Sequence, residues 1–214
     1  IFYLAEALHH EGKYKEAIEQ YNKFLELVPG DWKSLQGIRG CELAPKWKEE
    51  GSRYIVKNAK LFNSRRADFA PMFLDGNADQ LYFTSSTEKA MGEAKSEITG
   101  TKKSGIFFSK KDEKGKWSRP EAVEGELNTV DDEGITSFSP DGSTILYGVS
   151  YTSIEQNRSC RNLFVCKPDG SGRKQLTRYS KSVSNARWSK DGASIYFIQG
   201  GQLYKVSYAR GTVG

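Results

Sequence analysis

Three stretches of the chain repeat one pattern, and this repetition constrains the fold more than any other feature. They are APMFLDGNADQLYF at 70–83, ITSFSPDGSTILYG at 135–148 and NARWSKDGASIYFI at 185–198. In each, two short runs containing aromatic and aliphatic residues flank an Asp-Gly turn. Glycine adopts a positive φ without a Cβ clash, and aspartate tolerates such turns. The pattern therefore predicts three β-hairpins, with a positive φ at Gly142.

Further strands follow each hairpin. GIFFSK, NLFVCK and QLYKVS supply a third strand at 105–110, 162–167 and 202–207. KWSRPEAV and RKQLTRYS can supply a fourth strand after the first two. Four strands per repeat is the unit of a β-propeller, whose rings commonly hold about four to eight blades. We therefore predict a partial, WD-like propeller over 61–214, and expect the chain to be part of a longer protein or to lack internal segments.

The first sixty residues show a different spacing of apolar residues. Apolar residues at helical spacing on both sides of Gly12 predict an antiparallel helix pair. This part resembles the tetratricopeptide repeat. The positions that carry the resemblance are Ala5, Gly12, Tyr14, Ala17, Tyr21 and Pro29. A second repeat begins at Trp32, and we expect Pro45 and the charged stretch at 46–51 to spoil its second half. An ordinary helical hairpin is the alternative for the first repeat. The predicted fold class is thus α + β multidomain, with tetratricopeptide-like helices at 1–60 before the propeller.

The repeat register suggests candidate protein-binding residues. Phe2, Glu6, His9 and His10 fall where the first helix of a tetratricopeptide repeat lines its concave groove. They could equally face solvent or pack against a preceding repeat. A helix points the two neighbouring histidines about 100° apart, so we do not expect them to share a metal ion.

The sequence offers no catalytic constellation. It contains no G-x-S-x-G, HExxH or Walker motif, and Asp131, Asp132 and Glu133 are expected to be hydrated carboxylates on a loop rim. We expect all three cysteines to be single thiols: Cys41, Cys160 and Cys166. We predict no catalytic residue, no metal site, no cofactor and no enzymatic activity.

Charge and hydropathy limit the classes of partner that we expect for this protein. The formal net charge is +5, with an acidic stretch at 120–136 and a basic one at 158–190. No recognition helix or RNA-binding platform accompanies the basic stretch, so nucleic acid is not an expected partner. No run approaches the roughly 18 apolar residues of a membrane span, so we expect no direct span.

The combination of helical repeats with FSPDG-type blades resembles one Bacteroidetes family, the PorE-type proteins of the type IX secretion system. Residues 62–86 and 98–142 carry this resemblance. It implies a non-enzymatic periplasmic scaffold, associated with the outer membrane and cell wall, whose partners are other proteins of the envelope or secretion machinery. Peptidoglycan would be bound only through an OmpA-like domain that these residues do not include.

A second resemblance gives the alternative function. Residues 162–208 are similar to blades of the TolB propeller and of the gating propeller in prolyl-oligopeptidase-type serine peptidases. In the peptidase case an α/β-hydrolase domain with a G-x-S-x-G motif should accompany the propeller. The alternative is therefore a peptidase gating propeller or a TolB-like translocation protein.

Overall fold

The chain forms two compact units in a computed structural model. They are Ile1–Lys57, which holds three helices, and Asn58–Gly214, which holds β-strands. Among the described residues, no helix has both the length and the hydropathy that crossing a membrane requires. The structure describes residues 1–74, 78–95, 100–153, 158–178, 182–209 and 212–213.

The helical unit consists of α1 (Phe2–His10), α2 (Tyr14–Leu27) and α3 (Trp32–Glu50). Its core contains Ala5, Ala17, Tyr21 and Cys41, all almost completely buried. The predicted helix pair is present. The helix α3 runs through Pro45 to Glu50, so the proline itself does not end it. No helix lies between Glu50 and residue 68, a stretch that the structure describes in full, so the second half of the second repeat is absent, as expected. A proline removes only one backbone hydrogen bond, and a helix of 19 residues tolerates that loss. The tetratricopeptide assignment itself stays a prediction.

The second unit contains three four-stranded antiparallel sheets, each built from strands consecutive in the chain. We call these sheets blades 1, 2 and 3. The strand order confirms the three predicted hairpins and the third strand of each blade. It also confirms the fourth strands that were predicted for blades 1 and 2. The strands are, in blade 1, β1 (Asp68–Phe73), β2 (Gln80–Ser85), β3 (Gly105–Lys110) and β4 (Glu121–Ala122); in blade 2, β5 (Asp132–Phe138), β6 (Ile145–Ser153), β7 (Arg158–Cys166) and β8 (Lys174–Gln175); and in blade 3, β9 (Val183–Trp188), β10 (Ser194–Gln199), β11 (Gln202–Ala209) and β12 (Thr212–Val213).

The Asp-Gly turns of blades 2 and 3 have the predicted backbone. Gly142 has φ 68° and Gly192 has φ 71°. In blade 2 the carboxylate of Asp141 accepts hydrogen bonds from Ser139 Oγ at 2.6 Å and from Ser143 N at 3.1 Å, which fixes the turn. The equivalent turn of blade 1, at 75–77, lies outside the described residues.

Two hydrophobic cores lie between neighbouring blades. The core between blades 1 and 2 includes Tyr82, Ile106 and Tyr147, and the core between blades 2 and 3 includes Leu163 and Phe197. Each blade thus buries an apolar sheet face against the next, as the stacking of blades in a propeller requires. The second unit is therefore propeller-like within its three blades.

Candidate functional site

The first strand of every blade carries a β-bulge at the same place in the repeat. A bulge inserts a residue that the neighbouring strand cannot pair, and bulges are frequent beside functional sites. The register shifts lie between Phe69 and Met72 in β1, between Ile135 and Ser137 in β5, and between Ser184 and Arg187 in β9.

Two of these bulges hold a residue in the left-handed backbone region. Ala70 in β1 has φ 51° and Asn185 in β9 has φ 52°, and among the described residues these are the two non-glycine positions with positive φ. The left-handed conformation costs a residue with a Cβ about 1–2 kcal/mol, and asparagine tolerates it better than most. Such strain persists where the surrounding structure demands it, and it clusters at functional sites. The two positions are therefore candidates for a functional role.

The three bulges border one pocket of about 270 Å³, which we call the inner-strand pocket. Strands β1, β5 and β9 each contribute to its wall, and β6 and β7 of blade 2 complete it. The pocket thus draws residues from all three blades. Its lining consists of Phe69, Ala70, Ser104, Asp132, Glu133, Gly134, Ile135, Gly148, Arg161, Leu163, Val183, Ser184, Asn185, Ala186 and Arg187.

Two arginines supply positive charge to the pocket. Arg161 Nε donates to Ser150 Oγ at 2.7 Å, which orients the guanidinium. A Cβ on Gly148 would lie 3.4 Å from Arg161 Cδ, so this glycine leaves room for the arginine stem. Arg187 is exposed at the pocket wall. Within the described residues, neither arginine has an acidic side chain within ion-pair distance.

Asp132 supplies a negative charge to the pocket, and two hydrogen bonds from Ser104 hold its carboxylate in place. Asp132 Oδ1 accepts hydrogen bonds from the backbone N–H of Ser104 at 2.8 Å and from Ser104 Oγ at 3.2 Å. The backbone N–H of Glu133 in turn donates to Ser104 O at 3.0 Å. These bonds tie the segment before β3 of blade 1 to the start of β5 in blade 2. The carboxylate of Asp132 is therefore positioned by two blades.

Glu133 is buried, so the expectation of a hydrated carboxylate on a loop rim is wrong for this residue. It lies inside β5 with 1% of its surface exposed. Thr129 Oγ1 donates to Oε1, while Oε2 has no hydrogen-bond partner among the described residues. Burial raises the pKa of Glu133 to about 7, Asp131 adds to this, and the Thr129 hydrogen bonds and Arg173 oppose it. Neighbouring residues of a β-strand point to opposite faces of the sheet. Asp132 and Glu133 are neighbours in β5, so when Asp132 faces the pocket, Glu133 faces the core.

Burial raises the pKa of two cysteine thiols, Cys41 and Cys166, which disfavours their reactive thiolate form. Cys41 and Cys166 are buried free thiols, which confirms the expectation for these two, and Cys160 is also buried. Burial raises the pKa of Cys166 to about 12. The thiolate is the reactive form of cysteine, so this side chain is inert at neutral pH.

The four residues predicted from the repeat register lie on α1 in the helical unit. The ring of Phe2 lies 6.0 Å from that of Tyr21, and the ring of His9 lies 6.3 Å from the same tyrosine. Glu6 is half-buried and His10 is exposed. The structure thus brings Phe2 and His9 together on Tyr21 and leaves His10 outward. Binding of a partner by these four residues stays a prediction.

Comparisons with known proteins give partial matches. No family model matches the chain. The chain is 39% identical over 69 residues to dipeptidyl-peptidase 5 of Porphyromonas gingivalis, which is 31% of this chain and 10% of that protein. The crystal structure of TolB from Acinetobacter baumannii aligns with a TM-score of 0.47 and 21% identity, over 72% of this chain and 33% of that one. The crystal structure of the tricorn protease aligns with a TM-score of 0.47 and 13% identity, over 69% and 16%. The chain therefore spans about a tenth of the peptidase that it matches.

Proposed function

We propose that this protein is a non-enzymatic scaffold that binds a segment of another protein at the inner-strand pocket. The convergence of three bulged strands on one pocket carries this proposal. Bulges hold backbone groups away from the regular ladder, so their peptide groups can pair with a ligand. A wall built from three packed blades also holds these groups in place before binding, which reduces the entropy that association costs.

The pocket's polar groups support binding more than bond chemistry. Arg161 and Arg187 keep fixed positive charges, and Asp132 is held by two hydrogen bonds from Ser104. Serine hydroxyls and fixed charges of this kind orient a ligand. In this proposal the pocket recognises a short part of a partner protein and leaves its covalent bonds unchanged.

The cellular setting follows from the family resemblance of residues 62–86 and 98–142. We place the protein in the periplasm, associated with the outer membrane, as a component of a type IX secretion system. Its partners there are other proteins of the envelope or secretion machinery. In this proposal, peptidoglycan is bound by the OmpA-like domain of the family, and no residue of the present sequence binds it.

A second candidate is favoured by the identity of 39% with a protein named dipeptidyl-peptidase 5. In that case the blades would form the gating propeller of a serine peptidase. The catalytic serine would lie in an α/β-hydrolase domain on the same protein. The two candidates differ in one observable property, because only the second predicts hydrolysis that a serine-directed inhibitor abolishes.

The protein purified from its own cells through an affinity tag tests both candidates. We expect no turnover of peptide, ester or glycoside substrates, and a co-purifying envelope protein. A Cβ on Gly134 would meet no atom within 4 Å, so Gly134→Phe fills the pocket without changing its charge. This variant should lose the partner, while Ser207→Phe, at an exposed position of β11 outside the pocket, should keep it. Inhibitor-sensitive hydrolysis would overturn the scaffold proposal in favour of the peptidase.

A further inference from the structure

We infer that the inner-strand pocket recognises a carboxylate of a bound peptide, with Arg161 and Arg187 as the groups that bind it. This inference rests on the proposed function, since it names the chemistry of the ligand at the same pocket. Nothing in the sequence resemblances assigns a ligand to these arginines. The carboxylate can belong to an acidic side chain or to a peptide C-terminus.

The chemistry of the two arginines suits this ligand. Guanidinium groups bind carboxylates through two parallel N–H···O bonds, which gives both strength and orientation. The hydrogen bond from Arg161 Nε to Ser150 and the contact of its stem with Gly148 restrain that side chain. No acidic residue in the described part of the chain lies within ion-pair distance of either guanidinium. Both can therefore bind an external anion without first breaking an internal ion pair.

The charge of the wall favours a single carboxylate over a dianion such as phosphate. Asp132 contributes one negative charge to the pocket lining, whereas the Glu133 side chain is almost completely buried inside β5 and does not count toward it. The wall then carries one net positive charge, which a single carboxylate neutralises. A phosphate dianion would instead leave one excess negative charge beside Asp132.

The size and backbone of the pocket favour a peptide. Its volume of about 270 Å³ lies just below the roughly 300–1,000 Å³ of pockets that hold whole small-molecule ligands, so it fits one or two residues. The bulges leave the peptide groups of Ala70 and Asn185 outside the regular ladder, and both residues line the same pocket as the arginines. A ligand backbone can pair there while its carboxylate reaches the guanidinium groups.

Binding of short peptides to the full chain tests the inference, measured by NMR titration. The probes are acetyl-Ala-Ala with a free C-terminal carboxylate, acetyl-Glu-Ala-amide with a side-chain carboxylate, and the neutral acetyl-Ala-Ala-amide. We expect at least one of the two acids to bind, and the neutral amide to bind at least about tenfold more weakly. The acid that binds more tightly identifies the source of the carboxylate.

Substitutions then assign the binding to the two arginines. Arg161→Gln and Arg187→Gln should each weaken the acid at least about tenfold. Arg119→Gln, which removes the same charge at an exposed position outside the pocket, should leave binding unchanged. Because Arg161 and Arg187 are exposed, their variants should keep the melting temperature of the wild type.

The outcomes separate this inference from the proposed function. Equal binding of acid and amide, binding unaffected by either substitution, or tighter binding of inorganic phosphate than of either acid would overturn the carboxylate inference. If Gly134→Phe still abolishes partner co-purification in that case, the scaffold proposal stands. If the acids bind through the arginines but no partner depends on the pocket, the carboxylate inference stands and the scaffold proposal fails.

Discussion

The side-chain amide of Asn128 binds both backbone groups of Ile106. The N–H of Ile106 donates to Asn128 Oδ1 at 2.7 Å, and Asn128 Nδ2 donates to Ile106 O at 2.9 Å and to Val123 O at 2.9 Å. Strand β4 has only two residues. Just after it, the N–H of Val123 donates to Ile106 O at 3.0 Å, while the N–H of Ile106 depends on Asn128. In blade 2 the N–H of Leu163 donates to Thr177 Oγ1 at 2.9 Å at the equivalent place. Side chains thus complete the outer part of these two blades.

Removing the amide should destabilise the propeller-like unit. Asn128 is 5% exposed and Ile106 is fully buried, so Asn128→Ala removes the partner of the buried Ile106 N–H and one hydrogen bond from each of the Ile106 and Val123 carbonyl groups. We expect a loss of roughly 2–4 kcal/mol in the free energy of unfolding. Urea unfolding measures it, with Asn63→Ala as a control, because in the described structure the side chain of the exposed Asn63 bonds only that of Asn58. Equal stability of the two variants would contradict the role of Asn128.

The turn glycine of blade 2 gives a second prediction. Gly142 has φ 68°, and Gly134 in β5 has no positive φ and open space at its Cβ position. Gly142→Val should therefore lower the free energy of unfolding by roughly 1–3 kcal/mol and reduce the melting temperature. Gly134→Val should have a much smaller effect. If both variants melt at the same temperature as wild type, the turn does not require glycine.

Glu133 makes stability depend on pH. Its pKa is raised from the usual 4.5 to about 7, so below pH 4.5 it is protonated in both the folded and the unfolded state. Between the two values the unfolded chain releases a proton that the folded chain keeps. The free energy of unfolding should therefore fall as pH rises through this window, by about 1.4 kcal/mol per pH unit from this group.

Comparison with a variant that does not ionise isolates this effect. Glu133→Gln should gain stability relative to wild type as the pH is raised from 4 to 8, as measured by urea unfolding at each pH. Glu124→Gln, at an exposed position, is the control, and its difference from wild type should stay small throughout. A Glu133→Gln difference that is constant over this range would exclude Glu133 as the source of the pH dependence.

The helical unit depends on one close approach between α2 and α3. A Cβ on Gly37 would lie 2.5 Å from Tyr21 Cζ, and the tyrosine ring is 3% exposed. Gly37→Ala should therefore force the ring to shift, with a net loss of about 1–2 kcal/mol after the gain in helix propensity. Circular dichroism melting measures it, with Gln36→Ala on the exposed side of α3 as control. A raised melting temperature for Gly37→Ala would contradict the close contact.

Local signals explain what the sequence could predict. The Asp141-Gly142 turn and the aromatic runs beside it depend on neighbouring residues, so the hairpins and their positive φ were predictable. Pro45 and the charged residues after it correctly indicated that the second helix of the second repeat is absent, although α3 itself runs through the proline. The burial of Glu133 depends on contacts with Thr129 and on the packing of blade 1 against blade 2, which no local pattern contains.

The inner-strand pocket was not predicted, although one signal for it was present. Asn185 occupies the place in its repeat that Ala70 and Ile135 occupy in theirs, and this is the place of the bulge. An asparagine there could have suggested a left-handed residue. Arg161 and Arg187 lie 26 positions apart and line the same pocket only because blades 2 and 3 stack, so sequence reasoning could not place them together.

Site-directed photo-crosslinking in the native cells tests most directly whether the protein acts by binding a partner at the inner-strand pocket. A crosslinking residue replaces Ser184, which lines the pocket, or Lys190, which is exposed in the β9–β10 turn outside it. We predict that position 184 captures one discrete envelope protein, that Gly134→Phe abolishes this product, and that position 190 does not give it. The same products from both positions, or a product at 184 that survives Gly134→Phe, would contradict the account.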